Sequence, residues 1–313
     1  DEFTTQTGYE VELIRTDDAG GILELLMQTK QAPQADLAIG LDNTYLQTAL
    51  QFCLLQPNDV SINEIDETVL DVYQGTYATP FDQGDICLNV DENGLDGENR
   101  TMPESLWELT EPQWNGKTVF PSPLTSSPGR AFMVATVDYF EHDDDETSSA
   151  FDWWKAMAAN GAQFTSGWTE AYEMHYSGGY GEWTEGHLGD ALLTVSYCHS
   201  PGVEAYYSGN WTHSTSIVLE RSSFHQIEYA GLINGATQIE GATAFIEYLL
   251  SDEVNRNMPV NNLMNSVLNN ATFPAQEGYE WHTDTPLKNA EISMERIANE
   301  MEDWLNQWQT ATQ

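Results

Sequence analysis

Apolar and polar positions divide the chain into short segments. Residues 11–14 alternate and predict a strand. After Asp17-Asp18-Ala19-Gly20-Gly21, residues 22–29 carry helical spacing. Residues 36–41 form a near-continuous apolar run, the pattern of a strand buried on both faces of a parallel sheet. A helix is predicted over residues 43–54. Residues 76–90 read as a strand pair interrupted by Pro80 and Gly84. Pro103 opens a predicted helix at residues 103–108, since proline is tolerated in a first turn. A short strand at 117–120 leads to a Ser-rich turn at 125–129. Helices follow at 131–140 and 149–159, an apolar strand at 191–197, and extended segments within 216–232. An amphipathic helix at 236–250 and a terminal helix at 290–308 complete the pattern. No internal repeat is visible. Strand–helix alternation predicts an α/β layer fold.

Length and composition narrow the class. At 313 residues and 40% hydrophobic, the chain can build two cored domains. No stretch approaches the ~20 apolar residues of a membrane span. No secretory leader is recognisable, so a mature form is expected. The charge is −40, from 50 acidic and 10 basic residues. Phosphate neutralisation needs clustered Lys and Arg, so nucleic acid is excluded as a partner. An anionic membrane surface is disfavoured for the same reason. The acids are dispersed along the whole length. A single cation site does not need so many carboxylates, so the charge is read as a halophile's hydrated surface. At ~1 M salt the Debye length is ~3 Å and self-repulsion is screened.

Catalytic signatures are missing: there is no G-x-S-x-G, no HExxH and no Walker motif. Cys53, Cys87 and Cys198 form no metal-spaced pair and are read as small buried residues. Their odd number leaves at least one free thiol in an extracellular setting. His199 beside Cys198 is a poor pair, because strand neighbours face opposite sides. No enzyme activity is expected. A processing enzyme on the same fold would have Cys198 as its candidate nucleophile.

Several blocks occur in a fixed order. They are Ala35-Asp36-Leu37-Ala38-Ile39-Gly40-Leu41-Asp42-Asn43, Thr79-Pro80-Phe81-Asp82-Gln83-Gly84 and Thr125-Ser126-Ser127-Pro128-Gly129. Gly167-Trp168-Thr169-Glu170-Ala171-Tyr172 and Thr194-Val195-Ser196-Tyr197-Cys198-His199-Ser200-Pro201 follow. Together they resemble the thiamine-binding branch of the iron- and polyamine-type periplasmic binding proteins of ABC importers. The resemblance runs from about Phe3 to Trp308. It implies a type II two-lobed α/β fold with the ligand in the cleft between lobes. Residues 1–80 with 230–313 would form one lobe and residues 81–229 the other. The chain crossings fall near 79–84 and 227–231.

The resemblance also implies a ligand, thiamine or a thiamine phosphate, with no cofactor or metal. The partner is a membrane permease, and the binding protein acts as a monomer. The implied setting is an archaeal cell surface, with a lipid anchor through a segment outside this sequence. A polyamine or ferric iron is the alternative cargo. Thiamine is a flat cation, so its site needs aromatic faces, carboxylates and hydrogen-bonding groups. Trp168 is assigned as the stacking ring, Tyr172 four residues on is read as a ligand-site residue or as packing behind it, and Tyr197 at a strand end is assigned to the ligand. Ser126 is read either as a ligand contact at a helix N-terminus or as an ordinary cap. Asp18 follows a strand and is assigned to the ligand, and Asp42, also after a strand, is read either as a cap of the next helix or as facing the cation. Asp82 is given a structural role. Three departures stand out. The family's first strand is missing, and Val203 and Leu263 stand where the family has aromatics. Residues 177–189 form a Gly- and aromatic-rich insertion, read as a surface loop or a lid.

Overall fold

The structure, a computed structural model, describes residues 2–16, 18–97, 100–143, 148–179, 184–209, 211–274, 279, 283 and 286–313. Residues 180–183 of the expected insertion lie outside this set. The chain forms two compact units, Asp1–Gln83 with Gln226–Phe273 and Gly84–His225 with Pro274–Gln313. The strands are β1 (Leu37–Asp42), β2 (Leu55–Gln56), β3 (Thr79–Asp91), β4 (Thr118–Pro121), β5 (Gln163–Thr165), β6 (Leu193–Tyr197), β7 (Ser214–Ile217) and β8 (Phe224–Ile233). β3 and β8 each carry the chain from one unit to the other.

In the first unit β1 pairs antiparallel with β8, from Leu37↔Leu232 to Asp42↔Glu228. The register slips beside Gly40, whose φ of +98° is open to glycine alone at low cost. The apolar run at 36–41 therefore belongs to an antiparallel pair, not to the parallel sheet its pattern predicts. Phe81, Ala230 and Leu232 meet Ala242 and Ile246 of the helix Ile239–Leu249 in the core. The helix Ala19–Thr29 packs against β1. Residues 11–14 are not a strand: they are irregular, and Val11, Leu13 and Ile14 are exposed. A strand exists only through a neighbour's hydrogen bonds, and β1 ends the described sheet order.

In the second unit the order is β7-β3-β6-β4-β5. β4 runs parallel to both β5 and β6. β3 is one strand of 13 residues and is not broken at Pro80 or Gly84. Pro80 is its second residue, where a missing N–H costs least. The helix expected at 103–108 is instead a single 3₁₀ turn, Trp107–Thr110. The helices Ser127–Glu141, Ala150–Ala159 and Met294–Thr312 cover the core. Buried Trp153 and Trp154 each satisfy their indole N–H, on Leu106 O at 2.7 Å and Thr136 Oγ1 at 3.0 Å. Residues 274–313 were expected in the first lobe. They belong to the second unit, because Ile297, Met301, Trp304 and Trp308 enter its core.

Cys87 and Cys198 form a disulfide between β3 and the end of β6, while Cys53 is exposed and free. The buried reading holds for Cys87 and Cys198, which are joined, and is corrected for Cys53. Cys198 has no free thiol to act as a nucleophile.

Candidate functional site

Because β4, β5 and β6 are parallel, their C-terminal ends lie together. Open α/β sheets bind ligands at such ends. Three of the sequence blocks leave these ends: Ser126 after β4, Trp168 and Tyr172 after β5, and Tyr197 at the end of β6. The first two loops are tied to each other. Ser122 N donates to Thr165 O at 2.9 Å, and Thr125 Oγ1 donates to Ser166 O at 2.6 Å.

The loop after β5 is shaped by Glu170. Its carboxylate accepts from Ser166 N at 3.0 Å and Ser166 Oγ at 2.8 Å, which holds its pKa below the usual carboxylate range. The chain then makes a π-helical turn, Glu170–His175, closed by Tyr176 N on Ala171 O at 3.0 Å. Trp168 stands at the head of this turn, half-buried. Its Nε1 donates to Ser196 Oγ at 2.8 Å, and Ser196 Oγ meets Ser200 Oγ at 2.8 Å. Its ring stacks on Tyr172, with centroids 4.9 Å apart and planes at 14°. The indole is thus fixed edge and face by two different elements.

Tyr172 is buried (1% exposed), so it backs Trp168 and offers no surface to a ligand. Its hydroxyl donates to Glu204 Oε1. Glu204 lies on the helix Ser200–Ser208 and is 3% exposed. Burial pushes its pKa up to about 7, against hydrogen bonds from Thr212, Tyr172 and Ser214 that pull it down. Ser126 is wholly buried and is the N-cap of Ser127–Glu141, its Oγ accepting from Gly129 N at 3.4 Å. The cap reading holds for its side chain. A Cβ on Gly129 would meet Pro121 O at 2.1 Å, so the close approach of this helix to β4 requires glycine. Tyr197 follows Ser196 on β6, and neighbours on a strand face opposite sides. Ser196 takes the indole, whereas Tyr197 packs against the second unit's core and tilts over His199 at 5.3 Å.

The first unit holds a separate group of carboxylates. Asp42 is buried, and its Oδ1 accepts from Thr44 N and Thr44 Oγ1, both at 2.6 Å, which shapes the turn after β1. Asp18 caps Ala19–Thr29 through Ala19 N at 2.7 Å. Two acids that the motifs did not single out for the cation join them. Glu228 opposes Asp42 in the β1–β8 register. Asp82 is buried and accepts from Asn262 Nδ2 at 2.6 Å, in keeping with a structural role. Glu228 is held well above the usual carboxylate range by burial and then by the charges of Asp82, Asp42 and Asp18. Burial raises Asp82 as well. Asp18, Arg15 and Glu228 also line a cavity of about 390 Å³ walled by Leu13, Ile22 and Leu37. Among the described residues no set of three His, Cys, Asp or Glu side chains is spaced to hold a metal ion.

Sequence reasoning missed Ser196, Ser200, Glu204 and Glu228. The spacing of Ser196 and Ser200 was visible in the motif. Glu228 becomes a partner of Asp42 only through strand register.

A half-buried indole held at the parallel strand ends of an α/β unit is the arrangement of a ligand-binding protein. The chain belongs to the bacterial extracellular solute-binding proteins, whose family profile matches residues 1–259. The thiamine-binding periplasmic protein of Escherichia coli (strain K12) is 25% identical over 309 residues, covering 99% of this chain and 86% of that protein. The Haemophilus influenzae protein of the same name is 24% identical over 296 residues, covering 94% and 80%. A solved periplasmic thiamin binding protein superposes with a TM-score of 0.83 at 25% identity, over 99% of this chain and 89% of that one. Iron-bound HitA of Pseudomonas aeruginosa shares the fold, with a TM-score of 0.71 at 14% identity, over 100% and 94%. The fold is that of the type II periplasmic binding proteins. Among the described residues no helix is long and apolar enough to cross a membrane.

Proposed function

We propose that this chain is the extracytoplasmic binding protein of an ABC importer and that its ligand is thiamine or a thiamine phosphate. Similarity to thiamine-binding proteins over nearly the whole chain supports the ligand class. Each unit, taken alone, presents a feature suited to such a cation. The first offers mutually repelling carboxylates, whose burden a positive ring relieves. The second offers Trp168, and this residue carries the reading. Its indole is half-buried and oriented by Ser196 and Tyr172, so little side-chain freedom remains to be lost on stacking. A desolvated cation–π contact contributes up to about 2 kcal/mol. Delivery to a membrane permease, and attachment to the cell surface through a lipid, belong to the same reading.

The test is a calorimetric titration in multimolar KCl, with thiamine, thiamine phosphate, spermidine and ferric citrate as separate ligands. Saturable binding of thiamine or its phosphate alone is expected. Trp168→Ala should weaken it about thirtyfold, the equivalent of about 2 kcal/mol, with an unchanged far-ultraviolet circular dichroism spectrum. Unaltered affinity in this variant would remove Trp168 from the site. Preference for spermidine or ferric citrate would replace the ligand class.

A further inference from the structure

Behind Trp168 lies a polar cluster that ligand recognition does not directly use. Trp168 rests on Tyr172, Tyr172 donates to Glu204, and Glu204 is closed off from solvent. Glu204 comes from a different element, the helix Ser200–Ser208, whose first residue also closes the indole's hydroxyl chain through Ser200. The two supports of Trp168, edge and face, therefore both trace back to this one helix. Beyond Glu204, Thr212 Oγ1 donates to Oε2, Ser214 adds a further hydrogen bond, and Tyr176 Oη donates to Ser214 Oγ at 2.9 Å. Gly179 packs so closely over the pair that a Cβ there would lie 3.0 Å from Glu204 Oε1 and 3.1 Å from the Tyr172 ring. A cluster this enclosed cannot change one contact without moving the next.

We propose that Glu204 is a positioning residue for Trp168, acting through Tyr172, so that ligand affinity follows the protonation of a carboxyl that never touches the ligand. The inference rests on the reading of Trp168 as the ligand-stacking residue. As an anion, Glu204 accepts from Tyr172 and Thr212 at once, and the phenol is pulled square behind the indole. Protonation turns one oxygen into a donor. Tyr172 or Thr212 must then turn its hydroxyl from donor to acceptor, and the stack loosens. The anion also adds negative potential behind a ring that receives a cation. Both effects make the deprotonated form the tighter binder. Other titratable or charged groups face this cluster. Tyr172 and Tyr176 come from the π-helical turn, and Asp91 and Glu92 from β3 and the residue after it. His213 Nδ1 approaches Asp91 Oδ1 at 3.7 Å. Burial places the Glu204 transition near neutrality, at about 7.

The experiment measures thiamine affinity from pH 5.5 to 8.5 at fixed high salt, for the wild type, Glu204→Gln and Tyr172→Phe. Alongside it, the ligand-free near-ultraviolet circular dichroism of each protein is compared with that of its Trp168→Phe counterpart, which isolates the indole. Wild-type affinity should rise about fivefold to tenfold from pH 6 to pH 8, as expected for one ionisation coupled to binding. Both variants should bind with a shallower profile than the wild type, since Asp82 and Glu228 still titrate in the first unit, and the ligand-free indole signal should follow Glu204 in the wild type only. Equal pH profiles in the wild type and Glu204→Gln would overturn the proposal and give the titration to another group, such as Asp82. If Glu204→Gln fails to fold, Tyr172→Phe tests the link by removing only the hydroxyl, and a ligand-free indole signal that still titrates as in the wild type overturns the proposal. If the wild type binds no thiamine at any pH, the ligand reading fails. The ligand-free indole titration then decides on Glu204 by itself.

Discussion

Reducing the Cys87–Cys198 bond should be the largest single destabilisation available in the second unit. The bond joins residues 111 apart in sequence. In the chain-entropy description, closing a loop of that length removes on the order of 16 cal/mol/K from the unfolded ensemble, or about 4.8 kcal/mol at 25 °C. Strain and residual structure bring the usual effect down to about 2–4 kcal/mol. For a unit of this size that corresponds to a fall in Tm on the order of 10 °C. The half-cystines are buried, so the expectation holds only if reduction is carried out on unfolded protein or replaced by the double variant Cys87→Ser, Cys198→Ser. Differential scanning calorimetry in multimolar KCl, on oxidised protein and on the double variant, measures the difference. The local effect should also reach the site, since Cys198 anchors the corner between Tyr197 and Ser200 and its N–H donates to Asp85 O at 2.7 Å. Equal Tm values, with mass spectrometry confirming the bond in the oxidised sample, would refute the argument. It would mean that β3 and β6 are already held together in the unfolded ensemble.

Three further outcomes follow from the geometry. Glu204 is held at about 7 when folded against an ordinary value near 4.5, so its contribution is fully present below the lower value and is lost as pH rises to the upper one. Asp82 and Glu228 shift in the same direction, so Tm should fall from pH 5 to pH 8, with a share on the order of 3 kcal/mol that disappears in Glu204→Gln; a Tm that rises over this interval would contradict it. Ser126→Ala should cost about 1 kcal/mol in urea unfolding while leaving ligand affinity unchanged; weaker binding at unchanged stability would return that hydroxyl to the ligand. With a net charge of −40, Tm should rise by roughly 10 °C or more from dilute buffer to 2 M KCl, and a flat dependence would show that self-repulsion does not limit stability.

The legible parts of the sequence were those decided by local physics. The helix at 22–29, the strand before Ser126 and the amphipathic helix at 236–250 all announced themselves by period, and the structure has Ala19–Thr29, Thr118–Pro121 and Ile239–Leu249 there. What failed depended on partners. Residues 11–14 alternate like a strand but have no described strand to bond with, and residues 36–41 look doubly buried yet pair antiparallel with β8. The candidate site divided along the same line. Trp168 heads the helical turn after β5, with Tyr172 four residues on beneath its ring. Tyr172 shares its motif with Trp168 but is buried beneath it, whereas Tyr197 is half-buried at the end of β6. No spacing rule links Glu204 to Tyr172, because 32 residues separate them and only the fold brings them together.

The hydroxyl chain from Trp168 to Ser196 and Ser200 bears on how such a site can change over evolutionary time. The ring belongs to the loop after β5, but its hydrogen-bond acceptor belongs to β6 and the next link to a helix. Replacing the indole by phenyl removes a donor from that loop and leaves the buried Ser196 hydroxyl with Ser200 as its remaining partner in the chain. The reverse change, starting from an apolar residue at 196, would leave an indole N–H without an acceptor. Each single step is costly and the pair is not, so ligand preference here should drift through coupled substitutions at 168 and 196, with a ratchet against stepwise exchange of one aromatic for another.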